Sequence, residues 1–358
     1  MVIIVPDKKD TLLFYGNASS RIGAGHVMRL LAVAQTAIQN GYLAYFVYRC
    51  CAAPLLKKLA DNGIQTSAMG AHSFSEMVKR LAATGLFLDD YELTNADWQD
   101  IETIHVPVAV FDDQLSDISL PVNLVINPAS DGSQKYYQVR APSATLCLGS
   151  DFTILRREFT DSAQQLPEIK RRKHILVTLG AADIKGLAMP IVAGLLRHLP
   201  VTTIELAIGG LTHYNQAELD RLRGEYPNLK VHINSDNMAL VMRQAGLAIS
   251  AAGGTLGELA SQGVPTFALV CADNQLPALT SSLNRTWYQA FDFRHYAIGD
   301  DISEFISQSL QLWDNLKSRQ AMSIQAQKTV DLKGCKRVLE QFEGRLAAAK
   351  QSTKIIVP

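Results

Sequence analysis

Residues 11–41 read TLLFYGNASSRIGAGHVMRLLAVAQTAIQNG, and this stretch decides the fold class. Thr11 to Gly16 are an apolar run of strand length, and NASSRIGAG follows as a polar loop containing glycine. Apolar residues then recur at Val27, Leu30, Leu31, Ala34, Ala37 and Ile38, the spacing of an amphipathic helix, and Asn40-Gly41 close it. A buried strand, a loop and a helix in that order form the repeating half-unit of a parallel α/β sheet. Working outward, YLAYFVYR (42–49) reads as the next strand. LFLDDY (86–91), VPVAVFDD (106–113) and VNLVINPAS (122–130) each run apolar and end polar. In an open parallel sheet ligands gather at the carboxyl ends of the strands, so these polar tips mark the working edge.

A basic, polar stretch, TDSAQQLPEIKRRKH (160–174), has the composition of a linker. Beyond it the pattern restarts with HILVTLG, MPIVAGLLRHL, TTIELAIGG, KVHIN, NMALVMRQAG, LAIS, the turn AAGG, TLGELASQG and VPTFALV. The reading is α/β: two doubly wound, Rossmann-like domains facing across a cleft, the usual place for a small-molecule site. Residues 1–165 form the first domain and 172–325 the second. Residues 326–358 are expected to be helical and available to pack back on the first. No short-period repeat or low-complexity segment interrupts this order.

The chain has 358 residues, and its 34 Lys plus Arg balance its 34 Asp plus Glu. A zero formal charge argues against a general nucleic-acid or anionic-membrane binder. Hydrophobic residues make up 47% and charged residues 19%, which favours a large buried core over disorder. Five scattered cysteines without a CxxC pair argue against a disulfide scaffold or structural zinc. The opening MVIIVPDKKD is too short an apolar run for a signal peptide, and no window is long enough to span a bilayer. We therefore expect a cytoplasmic protein, monomeric or weakly self-associating, with no membrane insertion and no nucleic-acid partner.

Three loops carry the chemistry. Ser19-Ser20-Arg21-Ile22-Gly23-Ala24-Gly25-His26 joins the first strand to the first helix, and free N–H groups at such a helix start can hold an anion. Its spacing is not GxGxxG, so a nicotinamide dinucleotide is poorly supported. His26 stands where the helix dipole disfavours an imidazolium, which predicts a ring that stays neutral and basic near pH 7. It is a candidate general base; the alternative is a histidine that only caps or packs the loop. Ser250-Ala251-Ala252-Gly253-Gly254-Thr255-Leu256-Gly257-Glu258 follows a strand and opens a helix. Its N–H groups and Thr255 can take a diphosphate, and Glu258 can accept from ribose hydroxyls or simply answer the helix dipole. Leu179-Gly180-Ala181-Ala182-Asp183 is a second such turn, able to meet a nucleotide or to be a plain strand-to-helix turn.

Carboxylate pairs Asp89-Asp90 (before Tyr91) and Asp112-Asp113 end two strands of the first domain, and Asn274-Gln275 end a third in the second. Such groups bind sugar hydroxyls or a metal, or merely tie neighbouring backbone N–H groups. The remaining histidines show no ligand spacing, so neither a metal nor another cofactor is expected.

Together these segments resemble the UDP-sugar hydrolases of the pseudaminic acid pathway, the PseG type, within the glycosyltransferase-B fold superfamily. The resemblance rests on the serine-rich loop with GxGH, D-x-Y, F-D-D, L-G-x-x-D-x-K, the serine and glutamate of 250–258 and the following N-Q, in order over about residues 12–290. It implies release of UDP from a UDP-linked deoxy-diacetamido sugar, with His26 activating water. Tyr91 and Asn274 would hold the sugar, with Ser19, Ser20, Arg21, Gly25, Asp89, Asp90 and Gln275 lining the same site. Gly180, Ala181, Ser250, Ala251, Gly253, Gly254, Thr255, Leu256 and Glu258 would hold UDP. Leu155-Arg156-Arg157-Glu158-Phe159 fits the family's segment at the end of the first domain. Where that family commonly reads Asp-His-Tyr, this chain has Asp89-Asp90-Tyr91. Two other functions share the sequence features: a UDP-sugar glycosyltransferase of the same fold, and a non-catalytic sugar-nucleotide binding protein.

Overall fold

A computed structural model describes the chain apart from residues 1–9, 20–22, 114, 116, 130–132, 164, 181–182, 211, 213 and 356–358. Ser20, Arg21 and Ala181, expected in the site, therefore lie outside the described residues.

The chain divides into two units. One comprises the described residues of Met1–Ala18, His26–Ile154 and Lys333–Pro358, and the other those of Ser19–Gly25 and Leu155–Leu332. The first leaves its own fold at Ile154, earlier than the basic stretch after residue 160 predicts. The reason is packing: Leu155 and Phe159 are buried in the core of the second unit.

Seven parallel strands build the first unit: β1 (Thr11–Gly16), β2 (Leu43–Tyr48), β3 (Gln65–Ala68), β4 (Gly85–Asp89), β5 (Val108–Phe111), β6 (Leu124–Asn127) and β7 (Thr145–Leu148). Their order is β3-β2-β1-β4-β5-β6-β7. The central strands β1, β4, β5 and β6 are buried along their whole length, as a sheet covered by helices on both faces requires. On one face Leu12, Phe14, Phe87 and Ile126 meet Val27, Leu30 and Ala34 of the first helix, Gly25–Gln39. The same core takes Val338, Leu339, Phe342 and Leu346 from the last helix, Gly334–Ile355. On the other face Leu13, Tyr15, Leu86 and Leu88 pack with Phe74, Met77 and Ile101.

Six parallel strands build the second unit: β8 (His174–Thr178), β9 (Thr203–Ile208), β10 (Leu229–Ile233), β11 (Ala245–Ala251), β12 (Thr266–Val270) and β13 (Tyr288–Asp292), in the order β10-β9-β8-β11-β12-β13. Both sheets reverse their winding once, between β1 and β4 and between β8 and β11. Chains leave these neighbouring strands toward opposite faces, which opens a crevice at their carboxyl ends. The loops singled out in the sequence fall at these two points: 17–26 follows β1, Asp89-Asp90-Tyr91 ends β4, Leu179-Gly180 follows β8, and Ser250 to Glu258 ends β11. Among the described residues no helix is long and apolar enough to cross a membrane.

Candidate active site and nucleotide turn

Parallel pairing of β1 with β4 sets Gly16 against Asp89, so the start of the first helix and the end of β4 share one point. The close approach depends on Gly16. A Cβ there would stand 2.8 Å from the Leu30 methyl and 3.1 Å from the Asp89 carbonyl oxygen, so any side chain would crowd both the helix and β4. With the helix in place, His26 Nδ1 lies 2.5 Å from Asp89 Oδ1, and both groups are buried, at 6% and 0% exposure. The carboxylate accepts from Nδ1–H, which assigns the proton to Nδ1 and leaves Nε2 as the ring's lone pair.

Arg29, one turn beyond His26, holds the same carboxylate in a fork, Nε to Oδ2 at 2.8 Å and Nη2 to Oδ1 at 2.7 Å. Its Nη1 donates to Asp113 Oδ2 at 2.5 Å, and the guanidinium lies 4.8 Å above the Phe111 ring. Tyr91 donates its hydroxyl to the other Asp113 oxygen and stands edge-on to His26, ring centroids 4.4 Å apart. The order is thus imidazole, carboxylate, guanidinium, carboxylate and phenol.

These charges overturn one expectation. Burial opposes charge on His26, but the Asp89 carboxylate and the hydrogen bond to it outweigh burial and raise the ring's pKa above its ordinary 6.5. The helix dipole does not set the direction of the shift, because a full carboxylate at contact distance outweighs the partial charge of a helix terminus. Asp89 is held low, at about 2: burial opposes its charge, but Arg29 and then His26 prevail. For Tyr91, burial and the neighbouring Asp113 push the phenol well above its usual range.

The other candidates around the ends of β1 and β4 divide. Asp89 offers no oxygen outward; it orients His26. Asp90 is buried at 7%, accepts from Asn17 Nδ2 at 2.7 Å and from the Glu92 N–H at 2.9 Å, and so fastens the loops after β1 and β4. Asn17 in turn donates to the Tyr15 hydroxyl and accepts from the N–H groups of Arg49 and Cys50. The carboxylate expected beside the sugar is therefore turned inward. Of the serine-rich loop, Ser19 and Gly23 form a β-bridge, with Gly23 N–H donating to Ser19 O at 2.8 Å, and Gly25 opens the first helix.

In the second unit, β11 runs through Ser250 and Ala251 into the helix Thr255–Ser261. Ser250 is fully buried and its hydroxyl donates to Ala251 O, so it closes the strand and presents no hydroxyl outward. Gly253 and Gly254 are exposed, and a Cβ at Gly254 would meet nothing within 4 Å. Open space in front of bare backbone lets a ligand approach the N–H groups of Thr255 and Leu256 closely. Gln275 accepts from Cys271 N–H at 2.8 Å, and its Nε2 lies 4.0 Å from where a Gly253 Cβ would stand. Asn274 is exposed beside it, and Gly180, at φ +80°, makes the turn after β8.

Glu258 has a partner that the sequence does not indicate. Arg156, buried at 7%, donates Nε and Nη2 to Glu258 Oε1 at 2.9 and 2.8 Å and also pairs with Glu158. Burial opposes the guanidinium charge, but the two glutamates overcome it. Among the described residues no group of three or more His, Cys, Asp or Glu side chains could hold a metal ion.

Sequence reading missed Arg29 and the pairing of Asp89 with His26. One signal was available: His26 and Arg29 are three residues apart on a helix and must share a face.

The fold is that of known glycosyltransferases. LpCGTa in complex with UDP superposes with a TM-score of 0.64 at 12% identity, over 95% of this chain and 100% of that one. A glycosyltransferase from Rickettsia africae gives 0.60 at 12%, over 95% and 99%. Two curated relatives are similar in sequence. The UDP-2,4-diacetamido-2,4,6-trideoxy-beta-L-altropyranose hydrolase of Campylobacter jejuni is 23% identical over 252 residues, 69% of this chain and 86% of the relative. An uncharacterized protein of Methanocaldococcus jannaschii, MJ1062, is 22% identical over 262 residues, 71% of this chain. The match spans only 54% of that protein's length. No family model matches the chain.

Proposed function

We propose that this protein is a UDP-sugar hydrolase that cleaves the anomeric C–O bond of a UDP-linked deoxy-diacetamido sugar with inversion. The observation that carries the reading is the buried His26–Asp89 pair at the β1/β4 crevice. In its neutral form the ring has Nδ1–H fixed on Asp89 and the Nε2 lone pair left to take a proton from water. As the water attacks the anomeric carbon the ring becomes an imidazolium, and the Asp89 carboxylate stabilises that charge where it forms. UDP leaves with the bonding electron pair. A diphosphate is a good leaving group, so no proton donor is required on that side.

In this scheme the first unit supplies the base, with Tyr91 and Asp113 as sugar-binding groups. The second supplies the turn from Gly253 to Leu256 for the diphosphate, with Glu258 and its Arg156 partner at the ribose. Similarity to the Campylobacter hydrolase supports the choice of reaction and sugar class, and the UDP-bound glycosyltransferase of like fold supports the nucleotide.

The test is incubation with a panel of UDP-sugars in ¹⁸O-water, without any acceptor. Free UDP with label only in the sugar, whose first-formed anomer is inverted, is the expected result. Label in UDP would mean attack at phosphorus and would remove His26 from its role. No UDP without an acceptor would favour a transferase or a binding protein.

A further inference from the structure

A pocket of about 450 Å³ opens in the second unit at the opposite end of the sheet from the nucleotide turn. Lys170, Arg172 and Lys173 lead into β8, and Val201 and Thr202 lead into β9, so the pocket sits at the amino ends of these strands. Strands of five residues rise about 3.3 Å per residue, which puts it roughly 15 Å from the carboxyl edge. Its outer wall is the junction of two helices, Ser303–Asp314 and Leu316–Thr329, contributing Trp313, Asp314, Leu316 and Arg319.

The charge here does not balance. Lys170 is matched by Glu168 at 2.7 Å, and Asp314 acts on Arg319 through space. Among the described residues neither Arg172 nor Lys173 has a carboxylate partner, which leaves an excess of two positive charges. Arg172 is buried at 3%; it donates to the carbonyls of Pro167 and Gln262, and its Nη2 has no hydrogen-bond partner. Arg319 is buried at 7%, reaches Gly246 O at 3.4 Å and has no partner at Nε. Buried arginines are ordinarily paired, so two without a bonded carboxylate at one pocket need an explanation. Burial, and then the neighbouring Arg243, push Arg172 down to about 10.

The cluster is also closely packed. Arg319 lies 4.4 Å over the Trp313 ring, and both crowd onto bare backbone: a Cβ at Gly246 would stand 3.0 Å from each and 2.7 Å from Arg172 O. Exposed Val201 and Leu316 add apolar surface beside the charges.

We propose that this pocket is a second ligand site, for an organic phosphate monoester whose dianion sits against exposed Lys173, with Lys170 beside it, over the buried charges of Arg172 and Arg319, and whose body lies against Trp313, Val201 and Leu316. An excess of two positive charges matches a phosphate dianion better than a carboxylate. The volume lies in the range, roughly 300–1,000 Å³, of small-molecule sites and exceeds the needs of a bare ion.

The test titrates the full chain with phenyl phosphate, inorganic phosphate and phenol, following tryptophan fluorescence and melting temperature at constant chloride ionic strength. Phenyl phosphate should bind saturably and raise the melting temperature, inorganic phosphate should bind more weakly, and phenol should do neither. Lys170→Ala/Lys173→Ala removes exposed side chains and should weaken phenyl phosphate about tenfold, two surface charge contacts' worth. Arg319→Gln should weaken it further; if that variant does not fold, the lysine variant decides. Unchanged affinity in the lysine variant, an equal response to phenol or added chloride, or displacement of phenyl phosphate by UDP would each overturn the proposal. The readout is binding alone, so a failed UDP-sugar assay leaves it standing and its failure leaves the hydrolase reading intact.

Discussion

His26 carries two opposing demands: Asp89 makes its ring a stronger base, and the same pull keeps it protonated to higher pH. Turnover by a neutral ring should therefore rise with pH through an apparent pKa above 6.5, the ordinary value. In Asp89→Asn the carboxylate is gone while burial and Arg29 still disfavour the cation, so this limb should move below 6.5 as kcat falls. A pH profile whose acid limb stays in place in the variant would separate Asp89 from the base. His26→Ala should lower kcat by about 10²–10⁴-fold with UDP affinity nearly unchanged, since a base acts in the transition state. Retention of about a tenth of the wild-type rate would rule the residue out as the base, on the same scale. The pair also links stability to pH. The raised His26 value favours the fold fully below 6.5 and fades as pH rises through the raised value; the Asp89 contribution is complete above 3.8 and is lost as pH falls toward about 2. Arg29 already occupies the space between Asp89 and Asp113 as a fixed cation. Turnover is accordingly expected to survive EDTA, and loss restored by magnesium or manganese would mean that these carboxylates leave Arg29 for a metal.

Single elements show what a chain discloses about itself. The strand and helix of residues 11–41 were legible because a fully buried strand reads as an unbroken apolar run and a half-buried helix writes a period into the sequence; the strand end at Gly16 follows from it, and the helix starts at Gly25, the last residue of the stretch read as loop. The neighbour of β1 was not legible. Asp89 lies 63 residues from His26, and nothing in LFLDDY says that β4, and not β3 or β5, will lie beside β1. Parallel order is decided by how helices cover the sheet, a property of all the strands at once. The Thr255–Ser261 helix repeats the lesson: Glu258 was visible in its first turn, whereas Arg156, 102 residues earlier, was not marked as its partner. That partner changes what a substitution there does. Glu258→Gln should weaken UDP by about 1–3 kcal/mol, the cost of a hydrogen bond to a charged group, and should also lower thermal stability because Arg156 keeps only Glu158. Calorimetry with UDP and a melting scan read the two effects separately. Lower stability with unchanged UDP affinity would make Glu258 a structural residue alone.

On the scale of the molecule the chain starts in the first unit, builds the second, and returns to finish the first with Gly334–Ile355. The sequence leads one to expect a helix over residues 326–358 that can pack back on the first domain, and the packed core says which face of the sheet it completes. Phe342 is fully buried and tilts against Phe87 with ring centroids 4.3 Å apart. Its contact is so close that a Cβ at Gly85 would fall 2.6 Å from the ring. The last helix is thus part of the sheet's cover, and Arg345 adds bonds to Thr145 Oγ1 at 2.9 and 2.6 Å. Phe342→Ala removes a whole aromatic side chain from a fully buried site between the Phe87 ring and the bare backbone of Gly85. The expected loss is about 3–5 kcal/mol. Because Phe342 belongs to the first unit's core and the 250–258 turn to the second, the loss should fall on one unit. The calorimetric transition of the first unit should move down by on the order of 10 °C. UDP should still bind and still raise the other transition, since ligand bound to the native form stabilises whatever folds around it. Base chemistry needs the first unit folded, so the variant should lose turnover at a temperature where it still binds UDP. If both transitions fell together, or if UDP affinity were lost with the helix contact, the two units would fold as one cooperative body, and the division of labour between base and nucleotide turn would have to be drawn again.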